Sequence, residues 1–194
     1  MIVQRKIYDN PNMTAPQVFC RHPDIICFER EIRNINDWEF AGIFTNQGEL
    51  LHRYSGRYNG TLHVEIPDAD RLSSRHQILT HNHPSDTSFS QPDLETAARF
   101  DVAEVRVVGE TGIYSMRPSQ NGWPEPSIIG DRFREVDSDP EFNSRMLDIE
   151  FSAEFLDQAK DVYIDIRRIR SDLRCRQVAE TFGLVYEGAR WGTE

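Results

Sequence analysis

The apolar and polar positions in the first half of the chain predict a series of short strands. The stretch EFAGIFT at 39–45 is apolar and β-branched, which is typical of a buried strand. NQG at 46–48 indicates a turn, and ELLHRYS at 49–55 returns as a second strand, so the pair predicts a hairpin. TLHVEIP at 61–67 alternates well enough to predict a third strand.

The middle of the chain alternates helical and strand patterns. DADRLSSRH at 68–76 has helical spacing, and QILT at 77–80 predicts a strand that ends at its threonine. PDLETAARF at 92–100 again has helical spacing, while VAEVRVVG at 102–109 and GIYSMRP at 112–118 predict two paired strands. Strands interleaved with helices indicate an α/β or α+β domain with a mixed β-sheet.

The two flanks have weaker patterns. IVQRKIY at 2–8 is compatible with a short strand, and 14–35 is loosely helical, most clearly in its last part. The stretch 119–126 is rich in Pro, Gly, Asn and Ser and is interpreted as a linker. The predicted organisation is an N-terminal extension at 1–35, a core at 36–118, and a linker with a C-terminal helical extension at 119–194.

The C-terminal extension contains one long predicted helix. Its apolar positions alternate spacings of four and three: Phe155, Ala159, Val162, Ile166, Ile169 and Leu173. Such a helix most often packs on its own domain, but the near-heptad spacing also permits a homodimer or a partner contact. Its arginines are interpreted as a solvated face: Arg167, Arg168, Arg170, Arg174 and Arg176.

Composition narrows the class of protein. The 194 residues fit one domain with appendages, and 38% hydrophobic residues are enough for a core. A formal net charge of -10 disfavours nucleic acid as a partner, because such partners need clustered cations. The three cysteines are widely spaced with no CxxC pair, and no apolar run approaches a membrane span. We therefore expect a soluble, cytoplasmic protein without a membrane partner.

The candidate chemistry lies in THNHPSDTSFSQPDLETA at 80–97. Ser90-x-x-Asp93 before a helix is a capping-box pattern, and this structural interpretation alone explains both residues. His81 and His83, however, are two positions apart where a strand ends, so their imidazoles point to one side and can bind one cation. Asp93 at the helix start can complete three protein ligands. Three ligands with a fourth position open to water are typical of catalytic zinc.

These residues carry a family resemblance. His81-x-His83-Pro84 followed by Ser90-x-x-Asp93 resembles the motif of the JAMM (MPN+, JAB domain) zinc metalloproteases, and HNHPS resembles their prokaryotic JAB/RadC-like branch. The resemblance covers about 36–118 and implies an MPN/JAB, cytidine deaminase-like fold. It implies one Zn²⁺ held by His81, His83 and Asp93, with Ser90 stabilising an oxyanion. The spacing from His83 to Asp93 is one residue shorter than the family's.

The family also has an upstream glutamate that acts on the water bound to zinc. Glu39 opens a short apolar strand that contains glycine, as the family's glutamate does, and we expect it to be this residue. Three other glutamates compete for the role: Glu31, Glu49 and Glu65. The remaining histidines are interpreted as ordinary surface or core residues: His22, His52, His63 and His76.

The resemblance implies a zinc metallopeptidase of the deubiquitinase-like, isopeptidase type. Its substrate would be a ubiquitin-like protein or its conjugate, cut at a peptide or isopeptide bond after the C-terminus. One alternative is a non-catalytic MPN-type scaffold, which the presence of all five site residues disfavours. Another is a RadC-like, DNA-associated protein, which the acidic balance and the missing helix-hairpin-helix pattern disfavour.

Overall fold

A six-stranded mixed β-sheet forms the centre of the protein. The computed structural model describes residues 22–60, 62–154 and 159–191. In space the strands follow the order β2-β1-β3-β4-β5-β6, and β3 and β4 are parallel while the other neighbours are antiparallel. Their bounds are β1 Phe40–Phe44, β2 Leu50–Ser55, β3 Ile78–Asn82, β4 Glu104–Val108, β5 Gly112–Arg117 and β6 Val185–Arg190. The prediction of an α/β protein with a mixed sheet is confirmed.

Helices cover both faces of this sheet. They are α1 Pro23–Ile32, α2 Gly56–Asn59, α3 Arg71–Ser74, α4 Gln91–Phe100, α5 Pro126–Ser138, α6 Pro140–Glu154 and α7 Ala159–Phe182, with a 3₁₀ turn at Asp68–Asp70 before α3. One apolar cluster joins the sheet to α4, α5, α6 and α7, through residues such as Leu94, Phe133, Met146 and Val178. A second, smaller cluster joins the opposite face to α1 through Ile25, Phe28 and Ile32.

Most of the predicted strands and helices are confirmed, including the β1–β2 hairpin, α4 and the β4–β5 pair. Two predictions are wrong at their boundaries. The strand expected to end at residue 80 continues to Asn82, because its backbone pairs with β1 on one side and β4 on the other. The long C-terminal helix continues past Leu173 to Phe182. The predicted strand at 2–8 and the helix position Phe155 lie outside the described residues.

The predicted strand in TLHVEIP is wrong, because residues 62–67 form two bends and irregular chain and belong to no strand. Their backbone groups bond to one residue instead of a ladder: the Leu62 carbonyl accepts from the Glu39 N–H at 2.9 Å, and the Val64 N–H donates to the Glu39 carboxylate at 3.1 Å. The alternating apolar residues Val64 and Ile66 therefore line a cavity beside Glu39 instead of belonging to a strand.

The C-terminal residues complete the sheet. β6, which the sequence did not predict, pairs with β5 along its whole length, and α5 and α7 contribute to the larger apolar cluster. The proposed division at residue 118 remains a prediction about folding units. The solvated arginine face is wrong for Arg168, which is buried and pairs with Asp86 at 3.1 Å.

Within the described residues, no helix combines the length and the apolar character that a membrane span requires.

Candidate metal centre

Strand β3 places the two histidines. His81 lies in the strand, opposite Ala41 of β1 and Val107 of β4, and His83 follows directly after it. The His83 N–H donates to the Val108 carbonyl at 2.9 Å, so the chain keeps its direction for one residue beyond the strand. Alternate residues of a strand share a face, so both imidazoles lie on the α4 side. Both residues are buried, with 6% of their surface exposed.

The start of α4 places Asp93. Ser90 is the N-cap, and the Asp93 carboxylate closes a capping box by accepting from the Ser90 N–H at 2.6 Å and from Ser90 Oγ at 2.7 Å. The structural interpretation of this pair is therefore confirmed. It is compatible with a second role, because the cap fixes the carboxylate against the two histidines.

The three side chains converge on one point. His81 Nε2 and His83 Nε2 are 3.2 Å apart, and each lies 3.2 Å from an oxygen of Asp93, Oδ1 for His81 and Oδ2 for His83. Tetrahedral zinc with bonds of about 2.0–2.1 Å places its ligand atoms about 3.3 Å apart. The donor set of two imidazole nitrogens and one carboxylate therefore fits a small divalent cation in chemistry and spacing.

The ring orientation of His83 also suits a ligand. Its Nδ1 lies 3.2 Å from the Thr87 carbonyl oxygen, which can only accept, so Nδ1 carries the proton and a neutral ring offers the Nε2 lone pair. That lone pair faces His81 Nε2 and the Asp93 carboxylate. Electron-rich atoms at this distance repel one another unless a proton or a cation lies among them.

The close approach of His83 and Asp93 shifts the pKa values of both side chains. Burial opposes the charged form of His83, but the charge and hydrogen bond of Asp93 outweigh burial and raise the pKa of His83. Burial likewise would raise the pKa of Asp93, but His81 and His83 hold it well below its usual value. Positive charge is therefore favoured at this point, and a bound cation would supply it without a proton.

The loop between the ligands is fixed by Asp86, which adopts a left-handed φ of 53°. Asp86 accepts from the Thr111 N–H at 3.0 Å and from Arg168 Nη1 at 3.1 Å, which joins the loop to the β4–β5 turn and to α7. A Cβ at Gly109 would lie 2.0 Å from Asp86 Oδ1, so this close approach requires glycine. This loop in turn places the Thr87 carbonyl oxygen 3.2 Å from His83 Nδ1.

Glu39 faces the same site from the start of β1. It is buried, and its Oε2 accepts from the Val64 N–H at 3.1 Å while Oε1 lies 3.1 Å from His63 Nδ1. The charge of Glu39 contributes to the raised pKa of His83, so the carboxylate is within electrostatic reach of the ligands. Asn82, between the two histidines, accepts from the Phe40 N–H at 2.6 Å and thereby fixes the chain next to Glu39.

One open cavity of about 590 Å³ joins these groups. All five predicted site residues line it: Glu39, His81, His83, Ser90 and Asp93. Of the competing glutamates, Glu65 also lines the cavity, whereas Glu31 lies 3.9 Å from Arg53, away from the cavity lining, and Glu49 is absent from that lining as well. Both the segment 62–67 and helix α4 form walls of the cavity.

Comparison with protein-family models, with curated proteins and with solved structures gives no match to this chain. The interpretation of the site therefore depends on its geometry and on the motif.

Two neighbours of the site were missed at the sequence level. His63 was interpreted as an ordinary histidine but contacts Glu39, and Asp86 was passed over although it anchors the loop. His63 could have been found from the sequence, because it lies in an alternating segment upstream of the HxH motif. Asp86 gave no signal, because its partners are 25 and 82 residues away.

Proposed function

We propose that the protein is a zinc-dependent metallopeptidase of the JAMM (MPN+) type, with an MPN/JAB fold of the prokaryotic JAB/RadC-like branch. The observation that carries this proposal is the convergence of His81, His83 and Asp93 at 3.2 Å in a cavity that also contains a buried glutamate. A scaffold has no need to hold three cation ligands and an extra carboxylate around an open cavity.

His81, His83 and Asp93 would hold the zinc ion. When bound, zinc supplies Lewis-acid chemistry: it acidifies water and polarises a carbonyl group. Glu39 would act as the general base, taking a proton from a water molecule in the cavity and delivering it to the leaving amine. A carboxylate has about four acceptor positions, so the two bonds that Glu39 already accepts leave others for that water.

Ser90 is proposed to stabilise an oxyanion. Its Oγ donates to Asp93 at 2.7 Å, so the hydroxyl must turn into the cavity to donate to a substrate. A donor in this position contributes about 3 kcal/mol to a transition state in comparable sites.

The proposed substrate is a ubiquitin-like protein or its conjugate, cut at the peptide or isopeptide bond after its C-terminus. The cavity is open and is bounded by the segment 62–67, whose Val64 and Ile66 present half-buried apolar surface. An extended C-terminal tail could lie along this wall with its apolar side chains against Val64 and Ile66.

The test offers the purified protein a panel of ubiquitin-like fusions, and plasmid and branched DNA, each with zinc and with chelator. We expect cleavage of a fusion that chelator abolishes and zinc restores. Zinc-dependent cutting of DNA with every fusion intact would overturn the proposal in favour of a DNA-associated protein. Zinc binding without any cleavage would favour a scaffold.

A further inference from the structure

The Glu39 carboxylate is held by two consecutive residues of the segment 62–67. The Val64 N–H binds one oxygen at 3.1 Å, and His63 Nδ1 lies 3.1 Å from the other. The backbone of Glu39 is tied to the same segment, because its N–H donates to the Leu62 carbonyl at 2.9 Å. Three bonds thus join one residue at the start of β1 to three successive residues.

The two partners of the carboxylate differ in kind. Val64 contributes a backbone N–H, which every substitution except proline keeps. His63 contributes a side chain, 81% exposed, on a segment that belongs to no strand, whereas the Glu39 side chain is 11% exposed. A carboxylate accepts from an Nδ1–H, which the charged ring and the Nδ1–H tautomer of the neutral ring both carry. A substitution of the His63 side chain can therefore remove its interaction with Glu39 and leave the Val64 bond in place.

We propose that His63 is a positioning residue for Glu39: its Nδ1–H fixes one carboxylate oxygen so that the remaining lone pairs point into the cavity toward His81, His83 and Asp93. This inference rests on the proposed function, in which Glu39 is the general base. A base that rotates away by about 1 Å loses about a hundredfold in rate, so a single fixing bond affects turnover.

Two substitutions of His63 distinguish the loss of its hydrogen bond to Glu39 from the loss of its side-chain volume. His63→Ala removes the donor, whereas His63→Asn keeps an amide N–H where Nδ1 stands. His76→Ala is the matched control, since His76 is also exposed, at 68% of its side chain, and pairs with Asp101 instead. We expect His63→Ala to lower kcat about tenfold with KM within about twofold, and His63→Asn to restore most of the rate.

A double-mutant cycle tests whether His63 acts through Glu39. In a Glu39→Gln background, His63→Ala should slow the residual turnover by less than about twofold. A loss of equal size in both backgrounds would overturn the proposal, as would a His63→Ala enzyme with the wild-type kcat.

A second readout needs no substrate. The ¹³C NMR signal of the Glu39 carboxyl carbon, assigned from its loss in Glu39→Gln, should move in His63→Ala and stay near the wild-type position in His63→Asn and His76→Ala. An unmoved signal in His63→Ala would overturn the inference even if the enzyme is active. Conversely, a moved signal in a protein that neither binds zinc nor cleaves any fusion would support the contact and reject the proposed function.

Discussion

Strand β3 carries two buried polar clusters, one on each face, and they are built differently. On the α1 face, the Arg106 guanidinium binds both oxygens of Glu29 at 2.6 and 3.0 Å and Glu104 at 2.9 Å. Thr80 of β3 donates to the same Glu29 carboxylate at 2.8 Å. Arg106 binds Glu29 in bidentate geometry and Glu104 through one oxygen. The cluster is closed, since Arg106 and Glu29 are 1% exposed or less.

On the α4 face, the cluster has a surplus of acceptors. His81 Nε2, His83 Nε2 and both Asp93 carboxylate oxygens meet at one point, and no arginine or lysine of the described chain is among the groups that meet there. This cluster borders a cavity of about 590 Å³. The two clusters differ in their charged partners and in their access to solvent, and these two properties distinguish a structural charge cluster from a ligand site. In the first, a buried guanidinium binds both carboxylates away from solvent, whereas the second has no arginine or lysine among its described groups and borders a cavity.

The largest expected effect comes from breaking the closed cluster. Arg106→Met leaves the Glu29 carboxylate buried without its main partner, and we expect the free energy of unfolding to fall by about 3–5 kcal/mol. Urea denaturation measures this. The double variant Glu29→Met, Arg106→Met should recover most of the loss, since the two fully buried charges are gone and Glu104, 14% exposed, keeps its bond from Ser115 Oγ at 2.6 Å. Zinc stoichiometry should be unchanged in every folded variant; a variant that folds but loses zinc would show that the two faces are coupled.

The next largest expected effect is on turnover and comes from a substitution in the cavity on the α4 face. Glu39→Gln keeps size and hydrogen bonding but cannot accept a proton, so turnover should fall about a hundredfold or more while zinc remains bound. Glu65→Gln, on the same cavity, is the matched control and should retain most of the activity. Steady-state kinetics and zinc content on the same samples check this. Near wild-type turnover in Glu39→Gln would transfer the role of base to another residue.

A smaller effect is the pH dependence of the metal-free protein. The lowered pKa of Asp93 gives stability that is present above about pH 4 and is lost as pH falls through its folded pKa. The raised pKa of His83 gives stability that is present below about pH 6.5 and is lost as pH rises through its folded pKa. With chelator, we therefore expect Tm to fall by about 2–4 °C above pH 6.5.

Zinc should reverse this trend, because it replaces the proton and binds better as pH rises. The rise in Tm on adding zinc should therefore be larger at pH 8 than at pH 6, by differential scanning calorimetry. His76→Ala should leave both trends intact. A chelated protein whose Tm increases over the same interval would contradict the assignment of charges in the site.

The elements and ligands that sequence reasoning found are local. β1, β2, β3, α4 and the β4–β5 pair follow from short-range periodicity and turns, and His81, His83 and Asp93 lie within 13 residues of one another. A strand, a short loop and a capped helix, consecutive in the chain, determine their geometry. For this reason the loop could be one residue shorter than in the family that the motif resembles, and the ligands still converge.

What sequence reasoning missed depends on contacts between distant residues. Glu29 and Arg106 are 77 residues apart, and nothing in either segment signals the other. The segment 62–67 has the alternation of a strand, but its backbone bonds to Glu39. The sequence pattern therefore did not predict that His63 contacts Glu39. β6 follows a helix that patterning predicted to end nine residues earlier, at Leu173 instead of Phe182.

The central claim is that the α4 face of β3 is a cation site. Elemental analysis of the purified wild-type protein and of a His81→Ala, His83→Ala double variant, each after dialysis against zinc and then against buffer, tests it most directly. We predict about one zinc per wild-type chain, removed by chelator, and none retained by the double variant. Stoichiometric zinc in the double variant, or none in a folded wild-type protein, would contradict it.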